Sequence, residues 1–416
     1  MFRHFRVFYK PFPVRGSALN LLRSGFFCDS VQIEEVKGMD QMEKWMKRVL
    51  ELGERGRGYT SPNPMVGAVL IRDGMILGED WHRRAGEHHA ERLLLEKMEA
   101  GLEDATLVVN LEPCCHFGRT PPCTDIILEK RVGRVVIGAS DPDPRVAGKG
   151  IRILREAGVR VETGVLEKEC RQLNRVFYHY KETGRPLVTM KYAMTADGKI
   201  ATTTGESRWI TGPEAREQVH RSRHENSSIL VGIGTVLADD PMLDCRIPEG
   251  RSGVRIVCDS RLRMPENSRL VLSAREVPLI IATAAGDPQL EVKKARLEEM
   301  GARIMTVPGN DGQVDLKMLT GELAAMGIDS ILMEGGGTLN EAALKQGIVD
   351  RVQVYMAPKI FGGESARSPV EGRGVNHLGD AYRLRLEKLE AVGEDIFVEY
   401  QVGRRDDGCL PESWKK

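Results

Sequence analysis

His89-Ala90-Glu91, Pro113-Cys114 and Cys123 set an imidazole, two thiols and a carboxylate within one short stretch of chain, and a fold has to satisfy them together. One imidazole and two thiolates supply three ligands to a tetrahedral zinc and leave a fourth position for water, provided the chain returns twice to one point. Residues two apart in a regular helix face away from each other. His89 and Glu91 can therefore serve one site only from the first turn of a helix, with Gly86 giving the approach its freedom. Pro121-Pro122 before Cys123 reads as a second helix start, whose positive end stabilises a thiolate. A closed structural zinc site completed by His88, Cys115 or His116 is the competing arrangement, and it leaves Glu91 without a part. Cys28, Cys170, Cys245, Cys258 and Cys409 lack such companions and read as small buried hydrophobes.

The pattern around this stretch predicts a layered α/β domain. Met42, Trp45, Met46, Val49 and Leu50 recur at helical spacing, and a Gly-rich break runs from Gly53 to Gly58. Met65 to Ile71 reads as a strand, Asp73-Gly74 as a hairpin turn onto Met75 to Leu77, and Ala90 to Met98 as a helix. Strands at Leu107–Leu111 and Val135–Ala139, each followed by a helical stretch, imply parallel pairing in the later part. A second α/β pattern starts at Pro186 after the linker Thr183-Gly184-Arg185-Pro186. Its strand candidates are Leu187–Ala193, Ile229–Gly232, Arg255–Asp259, Pro278–Thr283, Ser330–Glu334 and Val352–Ala357. A length of 416 residues suits two such domains.

The bulk numbers exclude some partners. Lys plus Arg and Asp plus Glu both number 60, which removes the basic footprint of a protein that tracks nucleic acid. No apolar run approaches the roughly 18 residues of a membrane span. Crowded cysteines in a chain this large point to metal chemistry in a reducing compartment, so the cytoplasm is expected. Arg3, Arg6, Lys10, Arg15 and Arg23 precede any acidic residue, which is a transit-peptide-like bias, and a plastid address is the alternative. The preferred reading has Met39 as the true start, residues 1–38 as an extension and 404–416 as an unstructured tail, leaving domains at 39–184 and 185–403.

An HxE…PC…C set is the pattern of zinc nucleobase deaminases, in which the metal activates water and the Glu moves protons. Asn63-Pro64-Met65-Val66-Gly67-Ala68, His89-Ala90-Glu91 and the run from Leu111 to Cys123 closely resemble the bifunctional riboflavin-biosynthesis deaminase/reductase family, RibD or RibG. Eight residues separate Cys114 from Cys123 where most zinc deaminases have CxxC, and the longer loop is characteristic of that family. The chain departs from the family at Cys115, commonly Ser, and at His88, commonly not His.

The resemblance implies a cytidine-deaminase-like α/β/α domain holding one zinc on His89, Cys114 and Cys123, with Glu91 catalytic and Asn63, His82, His116 and Arg119 touching substrate. The implied substrate is 2,5-diamino-6-ribosylamino-4(3H)-pyrimidinone 5′-phosphate, deaminated at C2.

In the second half, Ser330 to Thr338 runs from an apolar strand into glycines and a helix pattern, as where backbone amides meet a phosphate. Gly205 to Thr211, Gly232 to Pro241 and Glu334 to Gly337 look like the motifs of the same family's reductase, and the similarity spans Met42 to about Gln401. It implies a dihydrofolate-reductase-like α/β domain that uses NADPH to open the ribosyl ring to a ribityl chain. By the same matching Ala193, Trp209, Thr235, Asp239 and the segment Gly336, Gly337, Thr338, Leu339, Asn340, Glu341 and Ala342 contact NADPH. Ser207, Arg223, Leu243, Arg246 and Glu334 contact substrate, and Lys191 and Asp197 assist proton transfer. The expected partner is a phosphorylated aminopyrimidine, with no nucleic acid and no membrane, and the reading leaves room for a homo-oligomer. Two rival readings fit the same residues: another nucleotide deaminase fused to a dihydrofolate-reductase-like domain, and a structural-zinc nucleic-acid-binding module.

Overall fold

The computed structural model describes residues 41–403 apart from Arg119, Ala285 and Asp287. The extension 1–38, the tail 404–416 and the substrate contact expected of Arg119 lie outside the described residues.

Helix α1 (Gln41–Glu54) buries Met46 and Val49 of the apolar stripe read from the sequence, together with Leu52, against the first sheet, and packs Met42, Trp45 and Leu50 half-buried at its margin. That sheet comprises β1 (Gly67–Arg72), β2 (Met75–Trp81), β3 (Thr106–Leu111), β4 (Arg134–Ala139) and β5 (Arg160–Thr163), in the order β2-β1-β3-β4-β5. The first three strands pair antiparallel and β3-β4-β5 pair parallel, as expected for the later part. Asp73 (φ 50°) and Gly74 (φ 73°) make the hairpin turn, a conformation that favours Asp-Gly. Helices α2 (Ala90–Leu95), α3 (Cys123–Glu129), α4 (Lys149–Glu156), α5 (Glu167–Leu173) and α6 (Arg175–Thr183) complete this half. The predicted helix Ala90–Met98 stops at Leu95, and the predicted start of β1 at Met65 moves to Gly67. The side-chain amides of Asn174 and Asn110 hold Met65 and Gly67 before β1 pairs, with Met65 N donating to Asn174 Oδ1 at 2.7 Å and Gly67 N to Asn110 Oδ1 at 2.9 Å.

Gly184 (φ 70°) ends α6, and the chain enters a second sheet of nine strands. They are β6 (Leu187–Thr195), β7 (Ser228–Gly232), β8 (Val254–Cys258), β9 (Leu279–Thr283), β10 (Ala302–Thr306), β11 (Ser330–Met333), β12 (Arg351–Ala357), β13 (Leu384–Val392) and β14 (Asp395–Val402). In the order β10-β9-β8-β7-β11-β6-β12-β14-β13, pairing is parallel as far as β12 and antiparallel for the last two strands. Helices α7 (Pro213–Glu225), α8 (Ile233–Asp239), α9 (Arg269–Leu272), α10 (Glu291–Glu299), α11 (Leu316–Ala325) and α12 (Gly337–Lys345) form the crossovers. Central strands such as β7, β9 and β11 are buried on both faces and therefore read as unbroken apolar runs. Of the strands not foreseen, β5 and β10 are short, β13 carries exposed charges, and β14 sets the buried carboxylates of Asp395 and Glu399 among its apolar residues.

The first half rests on the N-terminal edge of this second sheet. Ser61 Oγ donates to Asp329 Oδ2 at 2.8 Å, and Tyr180 OH donates to Ala324 O at 2.8 Å. Among the described residues no helix is long and apolar enough to cross a membrane.

Candidate active sites

His89 occupies the position just before α2, in extended backbone, and Glu91 falls in that helix's first turn. Cys123 opens α3 behind Pro122, and Cys114 lies in the loop that leaves β3. The three converge: His89 Nδ1 is 3.4 Å from Cys114 Sγ and 3.5 Å from Cys123 Sγ, and all three donor atoms lie within 4.8 Å of one another. Tetrahedral zinc with ordinary Zn–N and Zn–S bonds sets such ligands about 3.6 Å apart, so the donor set fits that ion. Cys123 N donates to Cys114 Sγ at 3.3 Å, and hydrogen bonds from Cys123 and then His89 bring the Cys114 thiol down to about 4. Among the described residues no fourth His, Cys, Asp or Glu joins the group. His88 is exposed, and the Cys115 thiol turns to Arg145 O at 3.8 Å.

Glu91 is 3% exposed and its Oε2 has no hydrogen-bond partner. Burial, with the Cys114 charge adding to it, pushes its carboxyl above the usual range, against the pull of His89. His82, buried and displaced down to about 4 by burial, is neutral. Its Nδ1 lies 3.0 Å from His88 O and so carries the proton, which leaves Nε2 to accept from Asn63 Nδ2 at 3.2 Å. That bond orients the Asn63 amide at the mouth of a cavity of about 440 Å³, which Asn63, His82, Glu91 and His116 line together.

The far wall of this cavity was not read from the sequence. Asp141, Asp143, Arg145 and Lys181 all face it. Arg145, at 2.6 Å, and Lys181, at 3.0 Å, hold the Asp143 carboxyl well below its usual range, whereas burial raises Asp141 to about 6. The buried Glu112 carboxylate ties this wall to β3 by accepting from Asp141 N, Gly148 N and Ile151 N at 3.2, 3.0 and 3.2 Å. The available signal was position: Asp141-Pro142-Asp143-Pro144 follows a parallel strand at its C-terminal end, where ligands bind in such sheets.

The second site lies at the C-terminal edge of the nine-stranded sheet. Glu334 follows β11 and takes a bidentate pair from Arg223 on α7, at 2.6 and 3.0 Å, with Lys191 Nζ of β6 at 3.7 Å. Burial raises Glu334, but Arg223 and then Lys191 outweigh it and bring the carboxyl to about 2. Burial moves Lys191 below the usual ammonium range. Arg223 also donates to Asp244 O at 2.9 Å, and Asp244 pairs with the exposed Arg246 at 2.9 Å, next to the buried Leu243. His220, one turn before Arg223, has a buried Nδ1 without a partner and is a further group that sequence reasoning missed. Asp197 accepts from Thr195 Oγ1, Phe361 N and Gly362 N at 2.5, 3.2 and 2.7 Å, which braces the turn after β6.

Helices α8 and α12 start from the neighbouring parallel strands β7 and β11, capped by Gly232 and Gly336. A Cβ on Gly234 or Gly336 would meet nothing within 4 Å, whereas Gly335 and Gly337 are closed in by Leu339 at 2.7 Å and Glu371 at 2.5 Å. Two open helix starts side by side fit the phosphates of a dinucleotide. Thr235 lies in the first turn of α8, and Asn340 of α12 is buried with its Oδ1 unpartnered. Trp209 is 63% exposed, and its ring lies under Arg216 at 4.6 Å. Arg208 donates to Asp239 O at 2.8 Å and so brings Trp209 beside α8. Ser207 lies in the same loop, and Ala193 on β6.

Known proteins match both halves. The model of the RibD C-terminal domain matches residues 186–398, and that of the cytidine and deoxycytidylate deaminase zinc-binding region matches 39–139. The riboflavin biosynthesis protein RibD of Actinobacillus pleuropneumoniae is 46% identical over 90% of this chain and 99% of its own length. RibD of Escherichia coli K12 is 39% identical over 86% and 98%. The structure of Acinetobacter baumannii RibD superposes with a TM-score of 0.79 at 32% identity, covering 87% of this chain and 99% of that one. A Thermotoga maritima structure described as a diaminohydroxyphosphoribosylaminopyrimidine deaminase/5-amino-6-(5-phosphoribosylamino)uracil reductase gives 0.76 at 34%, covering 87% and 99%.

Proposed function

This chain belongs to the RibD family of riboflavin-biosynthesis proteins, and on that premise we propose how its residues divide the work of two sites. It is a bifunctional riboflavin-biosynthesis enzyme, a zinc-dependent deaminase followed by an NADPH-dependent reductase. In our reading residues 39–184 hold the deaminase and 185–403 the reductase. The substrate is 2,5-diamino-6-ribosylamino-4(3H)-pyrimidinone 5′-phosphate, which the first site hydrolyses at C2 to 5-amino-6-(5-phosphoribosylamino)uracil and the second reduces to the ribityl compound. Its place of work is the cytoplasm, and the even balance of 60 basic and 60 acidic residues supports a small-molecule partner over nucleic acid.

The unpartnered, buried Glu91 oxygen beside three converging donors carries the first assignment. His89, Cys114 and Cys123 hold the zinc, which when bound supplies the Lewis acidity that makes water nucleophilic near neutral pH. Glu91 takes the proton of the attacking water and passes it to the ring nitrogen and the departing amine, a task suited to a carboxyl whose pKa burial has raised. Asn63, held by His82, orients the pyrimidinone together with His116, and Arg119 is assigned to the substrate by the family pattern.

Ala193, Trp209, Thr235, Asp239 and residues 336–342 hold NADPH, which when bound supplies a hydride to the sugar carbon. Glu334, fixed by Arg223, accepts substrate donors, and Ser207, Leu243 and Arg246 complete that pocket. Lys191, displaced downwards by burial, gives the sugar oxygen its proton, while Asp197 supports the pocket through the turn it binds. The test pairs metal analysis with ammonia and NADPH assays on the phosphorylated diaminopyrimidinone. Ammonia release from zinc-stripped chain, or a preference for cytidine phosphates, would overturn the reading.

A further inference from the structure

Between the two pockets runs a narrow seam. Ala85, on the rim of the deaminase cavity, donates its N–H to Tyr59 O, and Tyr59 OH donates to Glu249 O of the second half at 2.8 Å. The Tyr59 ring meets His224 edge-on at 4.8 Å, and His224 follows Arg223 of the reductase pocket directly. One His224 nitrogen accepts from Arg251 N at 3.0 Å, and the other donates to Arg57 O at 3.1 Å. Tyr59 and His224 thus connect Ala85 of the deaminase rim to the end of the helix that carries Arg223.

Most cations along this seam are neutralised: Arg57 has Glu225, Arg223 has Glu334 and Arg246 has Asp244. Two are not. Arg84 is exposed over the Tyr59 ring at 5.5 Å, with no carboxylate in salt-bridge range among the described residues. Arg251 has Nε and Nη2 buried with no acceptor among the described residues. A buried guanidinium edge without an acceptor is strongly unfavourable, and this fork of donors is the one that grips phosphate. The geometry points to a phosphomonoester site on Arg251 and Arg84, separate from both pockets, that retains the phosphorylated product of the first site until the second captures it. Two cations without a carboxylate partner on the seam raise the local concentration of a dianion there.

The inference rests on the two half-reactions assigned above, so those are measured first, each alone. Absence of either in the unaltered chain overturns both the assignment and the seam. With both present, the phosphorylated diaminopyrimidinone is supplied and the lag before steady NADPH oxidation is timed. The unaltered chain should show a lag several-fold shorter than an equimolar mixture of Glu91→Gln and Glu334→Gln chains. Arg84→Ala/Arg251→Ala should lengthen the lag to that of the mixture while each half-reaction keeps its own rate. So should salt at about 1 M, where screening shortens to about 3 Å. An unaltered-chain lag equal to the mixture's, or a double variant indistinguishable from the unaltered chain, would overturn the seam site alone.

Discussion

Replacing Glu91 by Gln removes one ionisable oxygen from the deaminase pocket and nothing else of comparable size. The carboxyl is 3% exposed, burial raises its pKa, and Oε2 has no partner to lose. At Oε2 folding therefore gives up no hydrogen bond, Gln keeps a carbonyl oxygen for the contacts to its own N–H and to Cys123, and the zinc donors at 3.4 and 3.5 Å stay in place. Stability should stay within about 0.5 kcal/mol of the unaltered chain, because a neutral amide is no harder to bury than a carboxyl already raised by burial. Chemistry should suffer far more. Loss of a positioned general acid–base lowers turnover by about 10²- to 10⁴-fold, equivalent to roughly 3–5 kcal/mol in the barrier. The assay is ammonia release from the phosphorylated diaminopyrimidinone, with zinc content and thermal midpoint read on the same sample. Turnover within tenfold of the unaltered chain would remove Glu91 from proton transfer, and loss of zinc would show that it supports the metal instead.

Cys123→Ser should silence ammonia release while NADPH oxidation on the already deaminated compound continues; loss of both in a folded chain would deny independent sites. Gly150→Ala places a Cβ 2.3 Å from Pro113 O, behind the cysteine loop, and should cost about 1–3 kcal/mol by urea titration together with much of the deaminase rate. An unaffected deaminase would show that the loop yields. Glu334 lies at about 2 when folded against an ordinary 4.5, so its ion pairs stabilise the reductase half above about pH 4.5, and that stability fades as pH falls towards 2. The difference is on the order of 3 kcal/mol, and Glu334→Gln should flatten that part of the acid-unfolding profile; an unchanged slope would place the acid sensitivity elsewhere.

What the sequence disclosed followed from local chemistry. The HxE triplet could serve one point only from a helix start, and His89 and Cys123 do stand at the starts of α2 and α3. Buried parallel strands announced themselves as apolar runs. Long-range partners left no such mark. Nothing in the order of residues sets Lys181 against Asp143, or Arg223 against Glu334, since each pair forms only after a helix has crossed a sheet. Edge elements such as β13 mix exposed leucines with charges, so their period does not report a core. Asp197 was assigned a chemical role through resemblance, although its Asp-Gly sequence already spelled a turn, and a turn is what its hydrogen bonds make.

Both sites exploit one property of parallel strands. Hydrogen bonding in a parallel pair leaves the C-terminal edge open where the strand ends, and the following loop or helix start brings backbone N–H groups and side chains to that edge. In the first sheet β3 delivers Cys114 and β4 delivers Asp141 and Asp143, side by side because the two strands are neighbours. In the second, β11 delivers Glu334 and the start of α12, while its neighbour β7 delivers the start of α8. The first half, however, docks on the opposite, N-terminal edge, through Ser61 and Asp329. A metabolite therefore cannot pass straight through the second sheet, whose interior is packed with Ile331, Leu332 and Val231. Helix α7 links the two regions, carrying Arg223 against Glu334 and His224 against Arg57 O of the first half.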